Sequence, residues 1–150
     1  MPPPQVASAL LPTMQFTHAL SRFREQAVHF TREHVDQAID HVIQTNGALT
    51  NYSQLFSAAG LPSADPQVID EFMTQFHQRC AERGLPPLDA LVVHAAGPRR
   101  DFPDAAYFRL NNQPDPLIVT ATIADKRDAT TFWLHQIQTC KLWSTRTSRQ

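Results

Sequence analysis

Arg99 and Arg100, set between Gly97-Pro98 and Asp101, are the side chains whose types and spacing most suggest intermolecular chemistry. Two adjacent guanidiniums on a turn can meet a duplex backbone or enter a narrow minor groove; in an ordinary solvated turn they do neither. Gln75, Gln78, Arg79 and Arg83 form a second group. Gln and Arg match adenine and guanine edges, although any exposed helix face has a similar composition. So few arginines neutralise few phosphates, and useful DNA affinity would call for a dimer. Arg109, Lys126, Arg127, Lys141, Arg146 and Arg149 would extend the surface if they lay on the same side.

Other chemistry is less well provided for. His34 and His41 share a helix face with Asp36 and Asp40 nearby, and His77 and Cys80 are one turn apart. A zinc site needs three or four convergent ligands and an outer shell, and neither cluster supplies them locally. Asp101 and Asp104 near Tyr107 can be drawn as an acid pair, but aspartates at such positions usually form turns. No G-x-S-x-G, phosphate-binding loop or dinucleotide fingerprint occurs. The expectation is a protein that is not an enzyme, with no metal and no cofactor. Phe132, Trp133 and Trp143 make the last helix aromatic. They either pack on the core or, if exposed, form a dimer seam or partner-binding surface.

The 150 residues suit one domain that folds without disulfide or metal staples. A hydrophobic fraction of 42% with 18% charged residues is that of a globular chain. The formal net charge of −1 leaves no bulk positive field for nucleic acid or an anionic membrane. Cys80 and Cys140 are the only cysteines, without a C-x-x-C pair, which fits buried thiols in a reducing cytoplasm. The N-terminus lacks both a basic start and a continuous apolar run, so neither a signal peptide nor a membrane span is expected.

Twelve prolines against four glycines mark the element boundaries. Residues 1–13 read as a flexible Pro-rich arm, residues 14–143 as a single domain with its core at about 31–110, and residues 144–150 as a flexible tail. Phe16, Ala19, Leu20, Phe23, Ala27 and Phe30 recur at helical spacing over 15–30. Thr31 caps a second helix carrying Val35, Ala38, Ile39, Val42 and Ile43, which Gly47 ends. A short β-capable link at 48–52 leads into a helix over 53–59 that stops at Gly60. Asp65 and Pro66 are a cap and first-turn proline for a longer helix with Val68, Ile69, Phe72, Met73, Phe76 and Cys80 on one side, ending before Gly84 and Pro86. Residues 88–95 read as a buried strand, 97–103 as a hairpin loop and 105–110 as its return strand. Residues 117–123 look strand-like, and Asp125 caps a final helix to Trp143.

The run from Tyr52 to Pro62, the helix after it, and Leu85-Pro86-Pro87-Leu88 leading into Leu91-Val92-Val93 resemble small winged-helix proteins of bacterial mobile elements and restriction neighbourhoods. Tyr107-Phe108 and the last aromatic helix extend the likeness to roughly two-thirds of the chain. A more distant likeness, over 52–97, is to the DNA-binding half of alkylguanine alkyltransferases and alkyltransferase-like proteins. Their reactive Pro-Cys-His-Arg stretch falls near Pro86-Pro87-Leu88-Asp89, which has no thiol or histidine, so alkyl transfer is excluded. Their base-replacing arginine has no counterpart among residues 65–72, whose ionisable side chains are Asp65, Asp70 and Glu71. The resemblance implies an α+β fold with a winged-helix core and added N- and C-terminal helices. The residues and the resemblance together give the expectation of a non-enzymatic winged-helix DNA-binding protein of a bacterial or phage mobile element, cytoplasmic and dimeric, with Arg99, Arg100, Gln75, Gln78, Arg79 and Arg83 on DNA. The alternative is a winged-helix adaptor of a defence or counter-defence system that binds a protein instead.

Overall fold

Helix boundaries follow local capping chemistry throughout the computed structural model, which describes residues 30–62 and 65–148. Helix α1 (Arg32–Gln44) starts where Thr31 Oγ1 accepts the His34 N–H at 3.3 Å and His34 Nδ1 accepts the Thr31 N–H at 2.9 Å. This is a capping box with histidine in place of the usual Glu or Gln. Strand β1 (Thr50–Asn51) runs straight into α2 (Tyr52–Ala58), capped by Asn51 through the Gln54 N–H. Asp65 caps α3 (Pro66–Glu82) by accepting from the Gln67 and Val68 N–H groups, with Pro66 at the first position. All six residues of the expected α3 stripe are buried.

Gly84, with φ +66°, closes α3: its N–H reaches the Ala81 carbonyl and the Leu85 N–H reaches the Cys80 carbonyl. That double bond is a Schellman ending. A 3₁₀ turn (Leu88–Leu91) and strand β2 (Val92–Val93) follow, then α4 (Ala105–Leu110) and α5 (Ile123–Ser148).

One core joins α1, α2 and α3 around Phe56, Phe72 and Phe76 and reaches Leu88, Leu91 and Cys140. Phe30 joins it edge-on to Phe72, with ring centroids 5.1 Å apart; the rest of the expected 15–30 helix and the 1–13 arm lie outside the described residues. A second cluster joins Ala90, Val93, Tyr107, Phe108, Ala129 and Trp133. Between the two, α5 grips the 3₁₀ turn: Trp133 Nε1 donates to the Ala90 carbonyl at 2.8 Å and Cys140 Sγ to the Pro87 carbonyl at 3.2 Å. Gly47, at φ +85°, lets the chain after α1 pass α5. A Cβ there would lie 3.0 Å from Lys141 Cγ and 3.1 Å from its Cα.

The result is a mixed helical and small-sheet fold, compatible with the expected α+β class, with five α-helices and one two-stranded sheet among the described residues. The expected β-hairpin over 88–110 is not what forms. Strand β2 pairs in parallel with β1, Thr50 opposite Val92 and Asn51 opposite Val93. Residues 105–110 are helical because Asp104 caps them through the Ala106 N–H at 3.1 Å. His94 closes the intervening loop, donating to the Phe102 carbonyl and accepting from the Asp101 N–H. The strand expected at 117–123 is also absent: Asp115 accepts the Leu117 N–H, and Thr122, rather than Asp125, caps α5 by accepting the Asp125 N–H. Helix α5 runs on through Ser148, past the expected end at Trp143, and buries Ser144. Among the described residues no helix is long and apolar enough to cross a membrane.

Candidate functional site

The last turns of α3 face α1, and this packing decides what their arginines can do. Arg79 Nε lies 2.9 Å from Asp36 Oδ1, Nη2 lies 3.3 Å from Asp36 Oδ2, and Nη1 lies 3.1 Å from Glu82 Oε2. Arg83 Nη1 adds a 3.3 Å contact to Asp36, and its Nη2 comes within 3.8 Å of Asp40. Arg32 completes the network on Glu82 at 2.9 Å. The Arg79 hydrogen bond, helped by the charges of Arg79, Arg83 and Arg32, holds the Asp36 carboxyl below its ordinary range. Arg32 and Arg79 do the same for Glu82. Gln75 and Gln78 are exposed beside this network, in a polar hollow of about 190 Å³ shared with Arg32, Val35, Arg79 and Glu82.

Arg99 is turned inward. Its Nη1 and Nη2 engage the two Asp115 oxygens at 2.8 and 3.0 Å, and its Nε and Nη2 donate to the Pro103 carbonyl. This bidentate pair ties the loop after β2 to the turn before α5. Arg100 alone of the two is exposed. Arg109 pairs with Asp70 at 2.8 Å and Arg127 with Asp128 at 3.6 Å. The structure therefore brings Gln75, Gln78, Arg79 and Arg83 together with carboxylates, and holds Arg99 on an aspartate of its own.

Four of the described histidines have structural partners. His34 caps α1, and His41 Nε2 lies 3.1 Å from Thr50 Oγ1. His94 Nε2 lies 2.9 Å from Asp104 Oδ1, its ring tilted against that of Tyr52 with centroids 4.7 Å apart. His77 Nδ1 donates to Asp89 Oδ2 at 2.9 Å; Asp89 is 1% exposed. That hydrogen bond outweighs desolvation and raises the His77 imidazole above its ordinary value. Asp89 Oδ1 and the Tyr107 hydroxyl find no hydrogen-bond partner among the described residues. Burial pushes both the Cys80 and Cys140 thiols up to about 12. They stay protonated at neutral pH, so the His77–Asp89 pair has no thiolate to work with. Among the described residues no group of three or more His, Cys, Asp or Glu side chains could hold a metal.

The aromatic residues of α5 divide between interior and surface. Phe132 lies against the second cluster, with its ring 6.4 Å from Tyr107, and Trp133 is buried against Phe102. Trp143 is only half-buried. It lines a groove of about 400 Å³ with Thr139, Leu142 and Arg146 on one wall and Gly84, Leu85 and Pro86 on the other. The α3 ending builds that second wall: the Schellman turn at Gly84 is followed by Pro86 and Pro87, which cannot continue a helix. Leu142 is 49% exposed. The aromatic character of α5 was legible in the sequence, whereas the facing wall, more than fifty residues earlier, was not.

No protein-family model matches the chain, and neither a curated protein nor a solved structure matches it.

Proposed function

We propose that this chain is a non-enzymatic adaptor that binds another protein through the groove between the second half of α5 and the end of α3. The observation that carries this reading is a contrast. Arg79, Arg83 and Arg99, which would meet a duplex, are engaged by Asp36, Glu82 and Asp115, while Leu142 and Trp143 leave apolar surface open beside Leu85 and Pro86. An arginine already held by carboxylates must lose them before it neutralises a phosphate. Exposed apolar surface around a Trp is typical of an interaction site. In this reading α1, α2 and α3 correspond to the helical trio of a winged-helix protein, and the short loop 94–102 stands where a longer wing would be.

Selection from a random-peptide display library against the full chain tests the proposal. The expected result is a peptide consensus that the Leu142→Asp variant no longer enriches. Enrichment unaffected by that variant overturns it. In parallel, anisotropy titration of a random duplex should find no binding even at low salt. Tight binding that falls steeply as salt rises would favour the DNA-binding reading instead.

A further inference from the structure

Residues 129–150 contain no aspartate or glutamate but include Lys141, Arg146 and Arg149. Lys141 and Arg146 are exposed, and neither has an ion-pair partner among the described residues. This half of α5 differs from the end of α3, whose arginines are compensated by Asp36 and Glu82. Among the described residues Arg146 is the only charged one lining the Trp143 groove, beside Leu85, Pro86, Leu142, Gly84, Thr139 and Trp143.

From this juxtaposition we propose that the groove takes an acidic, apolar segment of a partner protein, one aromatic or aliphatic side chain lying against Trp143 and Leu142 and a neighbouring carboxylate on Arg146. The proposal rests on the protein-binding reading above and adds the chemistry of the partner. A guanidinium beside an apolar wall favours a carboxylate next to a hydrophobic anchor and disfavours a lysine there. The volume suits one large side chain and its neighbours. Single-stranded nucleic acid could also stack a base on a Trp. The two described cations on this half of the helix, in a chain of net charge −1, offer little for a phosphate backbone.

Fluorescence anisotropy on the full chain with four fluorescein-labelled probes tests this: a peptide with glutamates flanking a leucine–phenylalanine pair, the same peptide with lysines for the glutamates, the same with serines for the apolar pair, and oligothymidylate. The first alone should bind. Arg146→Glu should weaken it about tenfold and turn the preference toward the lysine peptide, and Trp143→Ala should lose it. Arg146 is exposed, so its variant remains informative even if Trp143→Ala fails to fold. Equal binding of the glutamate and lysine peptides, or no effect of Arg146→Glu, overturns the acidic assignment and leaves protein binding intact. Binding of oligothymidylate that depends on Trp143 overturns it in favour of nucleic acid. Failure of every probe also overturns it, while a Leu142-dependent consensus from peptide display would still support the broader reading.

Discussion

Helices α3 and α5 both end in cations, yet the two ends are built differently. On α3 each charged side chain of the last turns is met by a group from elsewhere in the chain: His77 by Asp89 of the 3₁₀ turn, Arg79 by Asp36 of α1, and Arg83 by Asp36 and Asp40. On α5 Lys141 and Arg146 have no such partner among the described residues, and Leu142 beside them is exposed. Whether an arginine is available to a partner molecule depends on carboxylates delivered by other elements, not on the residues flanking it.

Cutting the innermost α3 contact should have the largest effect. His77→Ala leaves the buried Asp89 carboxylate without its partner, and because His77 itself is only part-buried the loss should be about 1–3 kcal/mol, as for a buried acceptor left unsatisfied. Urea unfolding at pH 6 should find a loss of that order. The His77 imidazole is raised in the folded state, so its contribution is complete below the ordinary value of 6.5 and declines as pH rises through the higher folded value. The gap between wild type and variant should therefore narrow on going from pH 6 to pH 9. A gap that widened would mean that the pair does not hold the 3₁₀ turn as described.

That contact also marks where sequence reasoning stops. Thr31, Asp65-Pro66 and the α3 stripe were legible because caps, prolines and 3.6-residue periodicity act within a few residues, whereas α1 stops at Gln44, with Asn46 rather than Gly47 first taking a positive φ. The aromatic run at 105–110 favours strand by residue type, but Asp104 immediately before it decides for helix by capping it. The branched residues at 117–123 needed a partner strand, and none lies beside them among the described residues. Arg99 reads as a free wing residue until Asp115, sixteen positions later, folds back onto it. Of the candidate site, Trp143 was visible and its opposing wall at Leu85 and Pro86 was not.

The difference between the two helix ends can be reduced deliberately. Asp36→Asn removes the carboxylate shared by Arg79 and Arg83 and should make the α3 end resemble that of α5. Anisotropy on a random duplex at low salt should then detect binding absent from the wild type, with a log–log salt slope of about −1 to −2, roughly one for each guanidinium released. Acid should act in the same direction: the depressed Asp36 and Glu82 carboxyls stabilise the network above the ordinary carboxylate range, and that stability is lost as pH falls through their folded values. If Asp36→Asn gains no salt-sensitive binding, the paired carboxylates are not what keeps this surface from DNA.

The smallest change tests the other end. Leu142 is half exposed and stands on the groove wall, outside both core clusters, so Leu142→Ser removes little buried apolar surface. Its effect on the urea midpoint should stay within about 0.5 kcal/mol, as for most surface substitutions. A loss several times larger would place Leu142 in the packing of α5 against the α3 ending, making the groove an imperfection of the core rather than an open face. An unchanged midpoint together with a lost peptide consensus would give the opposite answer. Leu142 would then contribute to recognition without contributing to folding, which is the division expected of an apolar side chain kept at the surface for a partner.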